Sequence, residues 1–327
     1  MASFRKRGKS WEAAVARKGR RETASFTTKA EAQRWAHQIE EEILAESRGE
    51  VPNKPFSAIL ARYRDEISPT KKGERWETIR LNMLIKDELA RVALPDLDAA
   101  AVAAWRDRRL KEVSPASVQR EWNLLSAAIT VAVREWGWLR DNPLKQIRRP
   151  PTTKARTRRI ADDELRRLLM ALGFELGYQP KTVSGHVGAA LAFAVETAMR
   201  AGEIAGLEWA NVNLDRRTAF LPETKNGESR MVPLSTTAIE IIKPFSRDRQ
   251  TVFGISTAQI DALFRKARSR CQIADLHFHD SRREALSRLS AKLNPFELAK
   301  VSGHKDLKIL LNTYYQADAE GLAAKIG

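Results

Sequence analysis

Between Thr197 and Tyr315 the side chains capable of phosphate and proton chemistry fall in an ordered series. Thr197-Ala-Met-Arg200-Ala-Gly-Glu203 comes first, then Lys225-Asn226-Gly227 with Arg230 close behind, His279-Asp280-Ser281-Arg282, Ser302-Gly303-His304, and Tyr314-Tyr315. A phosphodiester is anionic and hydrolyses extremely slowly. An enzyme that acts on one without a metal must therefore meet its non-bridging oxygens with fixed cationic donors. Arginine suits this task, because its planar fork binds two phosphate oxygens and keeps its charge. Glu203, three residues beyond Arg200, shares a helical face with it and can hold the guanidinium in place. His279 and Arg282, at i and i+3, project to one side of a helix, so both reach one phosphate. Tyrosine is a weak nucleophile near neutrality and needs a base and surrounding positive charge. Taken singly, each residue has a plain structural reading. Arg200 closes a buried helix, His279 pairs with Asp280, Lys225 is a solvated charge at a hairpin tip, His304 is a cap or turn residue, and either tyrosine packs.

The ordered set resembles that of the tyrosine recombinases, the bacteriophage and prophage integrases, over roughly Ala161 to Gln316. Residues 1–147 are similar to the arm-binding and core-binding domains of three-domain integrases in size and element order. The resemblance implies that Arg200 and Arg282 clamp the scissile phosphate, supported by Glu203. It also implies acid/base duty for His279, a hydrogen bond from His304 to the phosphate, and protonation of the leaving 5′ oxygen by Lys225. A tyrosine would form a 3′-phosphotyrosyl link that conserves bond energy, with no cofactor, metal or ATP. Family members usually carry that tyrosine nine residues after the second histidine, where Thr313 stands here. The following Tyr-Gln-Ala aligns Tyr314, at ten, as nucleophile, with Tyr315 as the alternative. Ser281 and Arg283 also depart from the commonest pattern, which has leucine and histidine there. Implied partners are double-stranded DNA at attachment-type sites, three further protomers in a tetramer on DNA, and DNA-bending accessory proteins. A topoisomerase IB-like nicking-closing enzyme shares the chemistry but does not need the N-terminal unit. A non-catalytic DNA-binding regulator explains the charge but not the ordered set.

Charge distribution agrees with a polyanionic partner. The 327 residues carry 57 Lys+Arg against 41 Asp+Glu, a formal net charge of +16. Eight cations in residues 1–21 (Arg5, Lys6, Arg7, Lys9, Arg17, Lys18, Arg20 and Arg21) face one acid, Glu12. Eight more in residues 140–159 include Arg148, Arg149, Lys154, Arg156, Arg158 and Arg159, against Asp141 alone. Such clustering favours phosphate contact over a generally solvated surface. The single cysteine, Cys271, excludes a disulfide framework and thiolate-rich metal sites. No apolar run approaches a membrane span, and MASFRKRGKSW lacks the apolar core of a secretory signal. These features predict a cytoplasmic protein bound to no membrane, and the resemblance implies a bacterial or phage-infected cell.

The elements that must position the site are a mainly helical set with small β-sheets. Trp11, Ala13 and Val15 alternate before a Lys18-Gly19 turn, and Thr28 with Glu31 has capping-box spacing ahead of Ala32, Trp35, Ala36, Ile39 and Ile43. This predicts a unit of sheet plus helix over 1–50, which the resemblance implies is an arm-type DNA-binding domain. A helical domain follows over 55–147, with Phe56, Ile59, Leu60 and Tyr63 as one stripe and Ile79, Leu81 and Leu84 as another, and the resemblance implies that it is a core-binding (SAM-like) domain. Ser114-Pro115 opens its helix carrying Val118, Trp122, Leu125 and Ile129. Residues 148–160 read as a basic linker, and 161–327 as a mixed α+β catalytic domain. There, Asp162-Asp163-Glu164 start a helix, Val187 to Met199 is a buried helix, and Leu207–Trp209, Thr218–Leu221 and Arg230–Leu234 are β-like. His304 is expected to open a helix and Ala317 to Ile326 to form one, which by the resemblance would dock on a neighbouring protomer.

Overall fold

The structure, a computed structural model, describes residues 2–17, 20–47, 51–152, 156–222 and 229–315. It is mainly helical with two small three-stranded antiparallel sheets, the expected fold class. The chain divides into two units, Met1–Ala155 and Arg156–Gly327.

In the first unit, β1 (Ala2–Arg7), β2 (Ser10–Arg17) and β3 (Arg20–Phe26) form a meander in which Arg5 pairs with Glu12 and Glu12 with Ser25. Residues two apart share a face, so Ala13 and Val15, both fully buried, point towards helix α1 (Lys29–Ser47). Ala32, Ala36, Ile39 and Ile43 of α1 are buried in turn. The predicted capping box closes this helix, with Thr28 N donating to Glu31 Oε2 at 3.1 Å and Glu31 N to Thr28 Oγ1 at 3.2 Å. Arg5, Arg7 and Arg21 lie on the opposite, exposed face of the sheet.

A separate core follows in the same unit, built by α2 (Ser57–Arg62), α3 (Glu74–Leu84), α4 (Ala99–Glu112) and α5 (Pro115–Arg134). Ser114 caps α5 by accepting from Ser117 N, and Pro115 occupies its first turn. Val118, Trp122, Leu125 and Ile129 are all buried, each such side chain contributing ~1.5–3 kcal/mol. Ile79 departs from expectation. It is 60% exposed while Leu81 and Leu84 are buried, because positions 79 and 81 lie some 200° apart around a helix and cannot share its buried face.

The second unit starts with α6 (Asp162–Leu172), capped by Glu164 Oε2 accepting from Ala161 N at 3.0 Å, and α7 (Val183–Thr197). Phe193, Leu191 and Val187 make α7 the apolar centre of the larger core. Next come α8 (Ala201–Ala205), β4 (Val212–Asn213), β5 (Thr218–Leu221) and β6 (Arg230–Pro233). Leu207–Trp209 is not a strand. Leu207 and Trp209 exchange backbone bonds with Val252 and Gln250 around a single bridge, and a 3-10 turn follows at once. The remaining helices are α9 (Thr236–Ile242), α10 (Thr257–Arg270), α11 (Asp280–Ser290), α12 (Pro295–Ser302) and α13 (Leu307–Tyr314). Ala285, Leu286, Leu298 and Leu310 of the last three pack with Ala198 in a small core of their own. The predicted helix over 317–326 lies outside the described residues.

Candidate active site

Five chain segments separated in sequence deliver the site. Helix α7 stops at Thr197, Ala198 turns into the left-handed region at φ 56°, and Arg200 emerges extended, immediately before α8. Arg200 and Glu203 therefore do not share a helical face as expected. Glu203 instead reaches back from the first turn, accepting from Arg200 N and from Arg200 Nη1, both at 2.8 Å. Its two oxygens also receive Arg230 Nη1 at 2.9 Å and Nη2 at 2.7 Å. Burial opposes ionisation of Glu203, but the bonds from Arg230 and from the Arg200 amide outweigh it and bring the pKa down to about 2.

Arg230 stands in the ordered series, but the sequence reading gave it no role in the site. It is buried on β6, its Nε donates to the Val301 carbonyl at 3.0 Å, and its guanidinium passes under Gly303. A Cβ at position 303 would stand 3.2 Å from Arg230 Cδ, and the φ of 71° there favours glycine in any case. One side chain thus ties β6 to the anchor of Arg200 and to the turn before His304. The available signal was an arginine on an alternating strand, at a position whose side chain faces inward.

Arg282 lies in the first turn of α11, 4% exposed. Its Nη1 donates to the Ala198 carbonyl at 2.5 Å and its Nη2 to the Ser302 carbonyl at 2.7 Å, which locks the end of α7 to the end of α12. Five N–H donors minus these two leave three for a ligand. Burial and the neighbouring Arg200 pull its pKa down to about 10, so it remains a cation at neutral pH.

His279 precedes α11. Desolvation and the Arg282 charge lower its pKa, so the ring is a neutral proton acceptor at pH 7. Asp280 does not bond to it. That carboxylate is taken by Arg156 Nε at 2.9 Å, Arg156 Nη2 at 2.8 Å and His277 N at 2.8 Å.

His304 does not open a helix. It follows the left-handed Gly303 that ends α12, while Asp306 caps α13. Ser302 Oγ donates to the Leu298 carbonyl at 2.6 Å, so in its 2.7 Å contact with His304 Nδ1 it accepts. The neutral ring then carries its lone pair on Nε2. Burial and the charges of Arg282, Arg200 and Arg230 push its pKa down to about 4, and donation from Nε2 to an anion needs a second proton.

The two tyrosines part ways. Both rings pack against the small core of the last three helices, but Tyr315 Oη donates to the Leu293 carbonyl at 2.5 Å. Tyr314 lines a cavity of about 180 Å³ together with His279, Arg282, Arg283 and His304. Burial raises its pKa, opposed by Arg283, Arg282 and Arg159 in that order.

The basic blocks divide as well. Arg5, Lys6, Arg7, Lys9, Arg17 and Arg21 are exposed, as are Arg148 and Arg149. Arg7 pairs with Glu12 at 2.7 Å, and Arg149 bonds to Asn123. Arg156, Arg158 and Arg159, expected at a DNA surface, are held by carboxylates of their own unit. Arg156 takes Asp275 and Asp280, Arg158 takes Glu164, and Arg159 takes Glu284 at 2.9 Å. Lys18, Lys154, Lys225 and the side chain of Arg20 lie outside the described residues.

Arg282, two neutral histidines and Tyr314 thus line one cavity, while Glu203 ties Arg200 to Arg230. Residues 158–320 match the phage integrase family. A candidate integrase/recombinase of Haemophilus influenzae is 43% identical over 336 residues, covering 100% of this chain and 91% of that one. The shufflon-specific DNA recombinase of Escherichia coli is 34% identical, covering 83% and 71%. Among solved structures, a lambda integrase dimer bound to a COC′ core site aligns with a TM-score of 0.68 at 17% identity, covering 97% of this chain and 95% of that one. A lambda integrase tetramer bound to a Holliday junction aligns at 0.65 and 17%, covering 96% and 97%. The chain belongs to the phage integrase family and is a tyrosine-type site-specific recombinase.

Proposed function

We propose that the chain is a phage or prophage integrase that binds double-stranded DNA at attachment-type sites and exchanges strands through a 3′-phosphotyrosyl intermediate. Tyr314 Oη attacks the phosphorus, its proton passing to neutral His279, and the P–O5′ bond breaks with a proton supplied to O5′ by Lys225. Arg200 and Arg282 hold the non-bridging oxygens through this step, and His304, protonated as the anion arrives, donates from Nε2. The free 5′ hydroxyl of a partner strand then reverses the attack, so neither metal nor ATP is consumed.

One observation carries the choice of nucleophile: Tyr314 shares its cavity with Arg282, His279 and His304, whereas the Tyr315 hydroxyl is engaged by Leu293 O. The exposed cations on the open face of the N-terminal sheet support binding of that unit to accessory arm sites. The tetramer on a Holliday junction known for lambda integrase supports a tetramer on DNA here, with bending proteins as further partners. The reaction takes place in the cytoplasm of a bacterial or phage-infected cell.

The test is covalent capture in EDTA on nicked duplexes selected from a pool carrying candidate attachment sites. Wild type is expected to give an adduct stable in denaturing gels. No adduct sinks the enzymatic reading, and an adduct that survives Tyr314→Phe but not Tyr315→Phe sinks the choice of nucleophile.

A further inference from the structure

The acids of α11 are already matched. Asp280 is taken by Arg156, and Glu284 by Arg159 at 2.9 Å and Arg288 at 2.8 Å. Arg283, on the same helix, makes no hydrogen bond or ion pair with any described residue, and it lines the cavity that holds Tyr314. Its neighbour Arg282 turns inward to two carbonyl oxygens. Successive helical residues project about 100° apart, so Arg283 is left at the rim. Leaving a guanidinium uncompensated beside a phenol, while arginines of the basic block neutralise the carboxylates nearby, concentrates positive potential on the phenol oxygen.

We infer that Arg283 is an activating cation of this recombinase, whose unneutralised charge stabilises the Tyr314 phenolate as the phenolic proton leaves. The inference rests on Tyr314 being the nucleophile. Arg283 stands where the commonest family pattern has a histidine, which would be largely neutral at pH 7, so the substitution supplies a permanent charge at this point. Among the charges that lower the Tyr314 pKa it ranks first, ahead of Arg282 and Arg159. The other titratable and charged groups lining the cavity, beyond Arg282, are Arg156, Asp280, His279 and His304. Arg156 and Asp280 pair and cancel locally, and the histidines are neutral until DNA arrives, so in the unbound protein these groups do not substitute for Arg283.

The test reads the phenol directly in the full-length protein. Absorbance at 295 nm is titrated against pH, with circular dichroism following the fold, and the same protein carrying Tyr314→Phe is subtracted to isolate one of the four tyrosines. Arg283→Gln is expected to move the Tyr314 midpoint up by about one pH unit, Arg283→Glu further, and Arg283→Lys little. Equal midpoints across the series overturn the inference. In parallel, adduct formation is timed on captured duplexes at saturating concentration, with a 5′-bridging phosphorothiolate so that the leaving group needs no proton. Arg283→Gln is expected to be about tenfold slower at pH 7 and to converge on wild type as pH rises, with Arg283→Lys restoring most of the rate. A loss that is uniform with pH, or no loss at all, overturns nucleophile activation. Absence of an adduct from wild type overturns the proposed function instead, which keeps the two failures apart.

Discussion

The N-terminal sheet and the centre of the second unit both present clustered cations, yet they treat them in opposite ways. On the sheet, Arg5, Arg7 and Arg21 stand on an open face in solvent. In the second unit Arg200, Arg230 and Arg282 are held by a single carboxylate and by the carbonyls of Ala198, Ser302 and Val301. Solvated cations keep their rotamer freedom and act through number, in a way that salt screens. Cations fixed by protein acceptors give up that freedom during folding, so no reorganisation remains when an anion arrives. Glu203 shows how the balance is struck. One carboxylate shared by two guanidiniums fixes both and still leaves a net positive charge.

The comparison can be broken or sharpened by mutation. The largest effect is expected from Tyr314→Phe, which removes the attacking oxygen and should abolish the adduct altogether. Tyr315→Phe should keep cleavage within a fewfold of wild type and cost ~1 kcal/mol of stability by removing the bond to Leu293 O, as measured by denaturant unfolding. Arg282→Lys retains a charge but cannot span two carbonyls and a phosphate, and single-turnover cleavage should fall ~10²–10³-fold. A small loss would show that fixed geometry matters less than charge. Glu203→Gln should destabilise the protein by on the order of 3 kcal/mol at pH 7, since the folded pKa of about 2 lies below the ordinary 4.5. That contribution is fully present above pH 4.5 and is lost as pH falls towards 2, so wild-type and variant unfolding curves should converge in acid. The smallest effect belongs to the sheet. Arg5→Ala with Arg7→Ala should leave thermal stability and cleavage at saturating DNA unchanged, while lowering the salt slope of arm-site binding by ~0.9 for each phosphate no longer neutralised. An unchanged slope, measured by titration at several salt concentrations, would remove the sheet from the DNA interface.

Local elements were legible where local physics decides them. The Thr28–Glu31 box, the Ser114 cap and the Phe56 to Tyr63 stripe depend on residues within one or two turns, and all three form as the sequence predicts. Ile79 and the Leu207–Trp209 run differ from expectation because grouping apolar residues ignores their angular positions in one case and the need for a partner strand in the other. His304 is expected at a helix start because Gly303 marks a boundary. It does mark one, but it ends α12 rather than opening α13.

From sequence alone came the ordered residue types, the two basic blocks and the mainly helical class, since these depend on composition, spacing and short-range periodicity. Tertiary structure decided what each charge does. Arg156 meets Asp280 across 124 positions, Arg159 meets Glu284 across 125, and Arg230 meets Glu203 across 27. No local pattern encodes such pairings, because they arise only when packed helix ends bring distant backbone segments together. The same packing separated Tyr314 from Tyr315: adjacent residues at a helix end project in different directions, and only the cavity walls determine which of them faces the cations.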